Sequence, residues 1–307
     1  MEKLQAQIQS TIDASGAEMG VALIHLESGD ALHINADAGF PMASVLKIPV
    51  LCEAFHQMAA GAFALDDRWE LTYPLKNIGS GILTYLNNGL QPTVRDLLTL
   101  MIIISDNTAT DMMMRRLGVA QIDGYMKALG VGNIHMAFDI RGIFDDMFGH
   151  EAADPNTYFG DWGKHRTAPT ANRDGHAYSR GADNNSATAR DMTRLCAMIY
   201  RGEVVDRAAC DGMLHIMLQQ QLNQRLPRFL PYGIPFAHKT GTISGIRNDA
   251  GILYATEQDH VAITVFSRWD AEAVGDDKVA EWARMDAIDS AFGHIGHAVY
   301  RYYTERL

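Results

Sequence analysis

FPMASVLK, residues 40–47, sets a serine and a lysine three positions apart, Ser44 and Lys47, at what reads as the opening turn of a helix. Residues three apart on a helix share a face, so the hydroxyl and the amine can meet. A serine hydroxyl is a weak nucleophile until a neighbouring base takes its proton. Lysine can be that base when burial or a nearby cation lowers its pKa. The competing reading is a helix-capping serine followed by a solvent-facing lysine, which is a common arrangement. The octapeptide alone does not choose between them.

Working outward, the pattern stays helical from Ser44 to about Gly61, with Leu51, Phe55 and Met58 on one face and Pro49 early enough to be tolerated. Upstream, Leu4, Ile8 and Ile12 recur at helical spacing. GVALIHL and ALHIN then flank ESGD, as two strands flank a Gly-containing hairpin turn. Downstream, Thr93 and Asp96 form a capping-box pair ahead of Val94, Leu97, Leu98 and Met101. A further helix is predicted from Asn107 to Leu117, stopped by Gly118, and Thr188 with Asp191 repeats the capping signature. The stretch from Asp139 to Asn185 is rich in Gly, Asp, Asn and Pro without a clear period, and is read as a long functional or disordered loop. AHKTG, AGILYAT and HVAITVFS return to strands, with EQD as a turn, and Ile288, Phe292, Ile295, Val299 and Tyr302 mark a long last helix.

Strands at both ends with helices between them predict an α/β (α+β) fold in which one antiparallel sheet, built from both ends of the chain, is flanked by helices. The expected division is an α/β domain from residues 1–50 and 210–307, and a helical domain over 51–209 with its long loop at about 139–187. The 307 residues suffice for one large domain or two intimate ones, and 47% hydrophobic with 21% charged residues is an ordinary globular composition. Lys and Arg number 26 against 37 Asp and Glu, a formal charge of −11, with no basic run. Nucleic acid and anionic membrane surfaces both call for clustered basic residues, so neither is the expected partner. No apolar stretch approaches the roughly twenty residues of a membrane span. The opening MEKLQAQIQSTI lacks the basic and apolar regions of a secretory signal, which leaves the cytoplasm, or the periplasm or exterior if a leader has been removed. Cys52, Cys196 and Cys210 are odd in number and lack CxxC spacing, so buried thiols are expected rather than disulfides or zinc ligands. The twelve histidines show no ligand spacing; no metal and no cofactor are expected. A monomer acting on a small molecule is the favoured picture.

Two more short motifs follow Ser44-x-x-Lys47 in order: Ser105-Asp106-Asn107 and Lys239-Thr240-Gly241. Any one of them is weak. In this order, and in these helix and strand contexts, the chain resembles a class A β-lactamase-related serine hydrolase of the penicillin-recognising superfamily. The similarity runs from GVALIHLESGD through SDNTATDMMMRRLG and SATARDM to HKTGTISGIRND. The resemblance implies a β-lactamase/transpeptidase-like fold and an acyl-enzyme on Ser44, with a β-lactam or a peptide-like amide or ester as substrate. It implies Lys47 as proton acceptor, Ser105 as proton shuttle to the leaving nitrogen, and Asn107 as partner of Lys47 and of the acyl-side amide. It also implies Lys239 as a cation facing Ser44, and Thr240 and Thr242 as donors to a substrate carboxylate. The oxyanion hole would be the backbone N–H groups of Ser44 and Thr242, with Gly241 between them and Lys239. Arg247, on the returning strand, would clamp the carboxylate if it points inward, or be a plain surface arginine if it does not.

One departure stands out. The family's deacylating glutamate belongs to the loop before SATARDM, yet no glutamate occurs between Glu151 and Glu203. Asp161, His165, Asp174, His176 and Asp183 are the available substitutes, none in a recognisable motif, and His150 with Glu151 reads as loop. Three functions remain in play: a serine hydrolase with atypical deacylation, a penicillin-binding D-alanyl peptidase, and a non-catalytic covalent β-lactam sensor. The hydrolase ranks first.

Overall fold

The computed structural model describes residues 1–150, 171–271, 273 and 277–305. Five antiparallel strands form the main sheet: β1 (Glu18–His25), β2 (Ala31–Ile34), β5 (Phe236–Ile243), β6 (Ile246–Tyr254) and β7 (His260–Arg268), in the order β2-β1-β7-β6-β5. The two ends of the chain therefore meet at the β1–β7 ladder, where Val21 pairs Val265 and Leu23 pairs Ile263. The sheet is buried on both faces, as strand periodicity requires when two layers cover it. Val21, Leu23, Val261, Ile263 and Val265 pack toward α1 (Glu2–Ser15) and α9 (Lys278–Thr304), joining Leu4, Ile8, Ile288, Phe292 and Val299. The alternate residues Ala22, Ala250, Ile252, Ala262 and Phe266 join the core of the helical body.

That body contains α2 (Lys47–Ala59), α3 (Val94–Ile103), α4 (Asn107–Leu117), α5 (Val119–Ala128), α6 (Ile140–Phe148), α7 (Ala189–Arg201) and α8 (Arg207–Met217). The helix expected from Ser44 divides in two: a one-turn 3₁₀ segment, Ala43–Leu46, then α2. Pro49 is the third residue of α2, where its missing N–H leaves no helical hydrogen bond unmade. Every residue from Lys47 to Phe55 is buried, so α2 is a central helix and not the one-faced helix its Leu51, Phe55 and Met58 suggest. The Thr93–Asp96 capping box is present in both directions. At Thr188 only half of it forms; the Asp191 carboxylate is instead taken by the backbone and side chain of Asn133. Cys52, Cys196 and Cys210 are free and buried. No described helix is long and apolar enough to cross a membrane.

The supposed loop after Asp139 requires correction. Its first nine residues are α6, capped by the Asp139 carboxylate on the Gly142 amide, and β4 (Ser186–Thr188) closes a two-stranded ladder with β3 (Gly39–Pro41). A second carboxylate fixes α6 from outside: buried Asp111 on α4 accepts the Ile140 and Arg141 amides and the Asn77 side chain. Burial, followed by the Asp139 charge, pushes Asp111 up to about 6. The ladder delivers the chain from β3 directly into the Ser44 turn.

Candidate active site

Ser44 lies in the 3₁₀ turn between β3 and α2, with its flanks Met42, Val45 and Leu46 buried. Ala43 takes a left-handed backbone (φ 46°), which costs a non-glycine residue about 1 kcal/mol or more and is held by the packing around it. Edge strand β5 runs past this turn. A Cβ on Gly241 would sit 2.5 Å from the Met42 carbonyl and 3.2 Å from the Ser44 nitrogen, so only glycine lets the strand come this close. Asn248 on β6 ties the same turn down by donating to the Pro41 and Met42 carbonyls.

One turn beyond Ser44, the Lys47 amine is fully buried. It reaches the Ser105 carbonyl at 2.7 Å, the Ser105 hydroxyl at 2.9 Å and the Asn107 Oδ1 at 2.9 Å. Two of these partners can only accept, while the hydroxyl can also donate. A neutral amine, with two N–H groups and one lone pair, therefore satisfies all three. Burial drives the Lys47 pKa down to about 7, against the opposing pull of Asp106 and Asp111. Ser105 itself is left-handed (φ 60°), pinned by Asp106, whose carboxylate accepts the Ile82, Leu83 and Ala109 amides. Gly81 lies against that carboxylate with no room for a Cβ, and Ser80 donates to the Ser105 carbonyl at 2.6 Å.

Lys239 is buried on β5 and donates to the Thr240 carbonyl at 2.7 Å. Its pKa falls well below the usual lysine range through burial, then through the charges of Lys47 and Arg225. Ser44, Ser105, Asn107, Thr240 and Thr242 line one cleft of about 850 Å³, while the two lysines lie buried behind it.

Arg247 does not join them. Its guanidinium donates to the Ile243 and Ile246 carbonyls, meets the Met285 sulfur and lies over Trp269, facing α9. Arg225, which the sequence reading overlooked, is buried behind the cleft wall: it donates to Thr242 Oγ1 at 2.5 Å and to the Gly241 and Asn248 carbonyls, with Asp289 at 2.9 Å behind it, while Arg173 lines the cleft itself and donates to Ser244 Oγ at 2.8 Å. Ser80 was also overlooked; neither residue belongs to a motif. Among the proposed water-activating residues, Asp161 and His165, like Glu151, lie outside the described residues. His176 and Asp183 pair with each other at 3.0 Å on the surface, and Asp174 lines a neighbouring polar cavity instead of the cleft. Among the described residues no group of His, Cys, Asp and Glu could hold a metal ion.

A two-sided buried sheet, a helical body and a serine–lysine cleft at their junction define a β-lactamase/transpeptidase-like serine hydrolase fold. The chain belongs to the beta-lactamase enzyme family, whose model matches residues 3–303. It is 26% identical over 276 residues to "Beta-lactamase VEB-1" of Pseudomonas aeruginosa, covering 86% of this chain and 82% of that one. Among solved structures it resembles a beta-lactamase from Sphaerobacter thermophilus (TM-score 0.76, 24% identity, 99% and 97% of the two chains). It resembles equally a PBP-A variant solved as an acyl-enzyme complex with penicillin G (TM-score 0.76, 24% identity, 100% and 98%).

Proposed function

We propose that this protein is a serine hydrolase that carries its acyl group on Ser44, with Lys47 as the base, and acts on a β-lactam or a related amide or ester. The observation that carries this is the buried Lys47 amine, drawn toward neutrality and oriented by Ser105 and Asn107 behind the cleft onto which Ser44 opens. Once the Ser105 hydroxyl turns off its lone pair, Lys47 takes the hydroxyl proton as the Ser44 oxygen bonds to the carbonyl carbon. The developing oxyanion is held by the Ser44 and Thr242 backbone N–H groups, and one such donor typically contributes about a hundredfold or more in rate. The carbonyl then re-forms, the bond to the leaving atom breaks, and Ser105 delivers its proton to that atom while taking the one Lys47 carries, which returns Lys47 to the free amine. Thr240 and Thr242 offer donors for a substrate carboxylate, with Arg225 held behind Thr242, and an anion there favours the protonated form of Lys239.

Deacylation is the slow half of the reaction. Among the described residues lining the cleft the one carboxylate is Glu281, and it is engaged with Lys278 at 2.8 Å. A missing general base costs about 10²–10⁴ in rate. The penicillin G acyl-enzyme of the PBP-A variant supports the same chemistry on this fold.

Intact-mass spectrometry after mixing with penicillin G tests both halves. The parent protein should gain one acyl group that persists long after free drug is removed. Ser44→Ala should gain none, while its unfolding free energy stays within about 1 kcal/mol of the parent. Labelling that survives the substitution removes Ser44 as nucleophile, and rapid turnover with no adduct removes slow deacylation.

A further inference from the structure

We propose that the acyl side of this cleft is an apolar subsite built by α6, and that it selects substrates whose acyl group ends in a bulky hydrocarbon, aromatic above all. The proposal rests on the acyl-enzyme reading for the chemistry, and on α6 alone for the selectivity.

The apolar residues of α6 fall at Ile140, Ile143, Phe144, Met147 and Phe148, which is one helical stripe, and all five line the cleft. The charged residues of the helix are turned elsewhere. Arg141 donates to the Lys76 carbonyl, Asp145 pairs with His150, and Asp146 accepts the Ala177 amide. Ile140 and Met147 are buried and anchor the helix, but Ile143, Phe144 and Phe148 are only half-buried. Half-buried apolar side chains on a fixed helix, converging on a cavity, leave hydrocarbon surface for a ligand to cover. Phe144 and Phe148 stack with centroids 6.0 Å apart and planes 14° from parallel, so the two rings form one continuous face.

The place of that face relative to the nucleophile sets its function. A Cβ added to Gly79 would meet the Asn107 Nδ2 at 2.7 Å and the Phe144 ring at 3.1 Å, so the ring and the amide share one small space. Asn107 is also the residue that orients Lys47. A substrate whose carbonyl is attacked by Ser44 therefore meets hydrocarbon on the Asn107 side. On the other bank it meets the hydroxyls of Thr240 and Thr242, with Arg225 behind them. The cleft is polarised: an anionic group belongs at β5 and an apolar acyl group at α6. A charged acyl group would lose its water against two phenylalanines and two isoleucines, while the cations that line the cleft, Arg173 and Lys278, are turned to Ser244 and Glu281, a cost that an aromatic group avoids.

Two measurements test this. In the parent protein, second-order acylation rates are compared for penicillins that differ only in side chain: acetyl, phenylacetyl and carboxyphenylacetyl. Covering a phenyl ring should favour phenylacetyl over acetyl by roughly tenfold or more, with the carboxylated ring falling back toward acetyl. Phe144→Ser should collapse the phenylacetyl preference and Phe144→Leu should keep most of it. Independently of any acylation, Ser44→Ala protein should bind N-phenylacetylglycine about tenfold more tightly than N-acetylglycine by calorimetry. Equal rates or equal affinities across the series overturn the subsite. A retained affinity difference in a protein that no penicillin labels supports the subsite while removing the acyl-enzyme reading.

Discussion

In the mechanism proposed above, whether Ser44 can attack depends on the protonation of one amine. Lys47 is stripped of water and its pKa lies near 7, so below that value it is an ammonium with no lone pair to offer, and above it a free base. Acylation rates should accordingly rise with pH along a limb centred near 7 and level off above it. Lys47→Arg replaces the amine with a group that stays protonated, so the limb should vanish and the rate fall by about a hundredfold or more. Stopped-flow acylation between pH 5.5 and 9 checks both, and an undiminished rate in the arginine variant would move the base elsewhere. Single residues also show where sequence reading reaches its limit. Ser44, Lys47, Ser105, Asn107, Lys239 and Thr240 each belong to a local motif, and folding brings those motifs to one cleft. Nothing local separates Arg225 from Arg228 or Arg247. Arg225 is chosen by contacts with Gly241, Asn248 and Asp289, groups distant in sequence that only the folded β5, β6 and α9 assemble.

Elements carry the precision that motifs leave open. The long hydrophobic segments were readable because their periods extend over many residues: α1, α4, α9 and the three strands of the second half stand where the pattern puts them, and α2 does so except for its first turn, which is 3₁₀. Strands β3 and β4 have three residues each, too few to show a period, and their pairing is fixed by the Ser44 turn and α7 that they lead into. Helix α6 was legible in principle, since 140, 143, 144, 147 and 148 make a clean stripe. It was obscured by Gly142, two aspartates and the polar stretch that follows, and it is held by Asp111 from another helix. The most exacting fit is that of β5 against the nucleophile turn. Gly241→Ala must push the strand away from the Met42 carbonyl, because the new methyl group would meet backbone of the Ser44 turn, which no side-chain rotation can clear. In the proposed mechanism the Thr242 N–H would then miss the oxyanion position, and acylation should slow by about a hundredfold while the fold persists. Acylation kinetics alongside circular dichroism separate the two effects; rates within twofold of the parent would show that the strand relaxes without harm.

For the molecule as a whole, the site is a liability in free energy. Two lysines are buried between the sheet and the helical body with few opposing charges, and each must be desolvated on folding. For Lys47 the folded pKa, about 7, lies below its ordinary value of 10.5. Below pH 7 the amine is protonated in both folded and unfolded chains, and the whole penalty stands. Between about 7 and 10.5 only the unfolded chain keeps the proton, so stability recovers as pH rises; above 10.5 the penalty is gone. The displacement corresponds to on the order of 4–5 kcal/mol, a large fraction of a domain's total stability. Lys47→Met fills the same space without a titrating group, so it should be more stable than the parent, most of all at pH 6. The advantage should shrink steadily toward pH 10. Comparing variant with parent at each pH cancels the contributions of groups common to both. Lys239, relieved of a neighbouring charge in the variant, adds to the low-pH advantage with the same sign. Urea unfolding of both proteins at pH 6, 8 and 9.5 measures the gap; a gap that does not change with pH would mean that Lys47 stays charged when buried and cannot serve as the base.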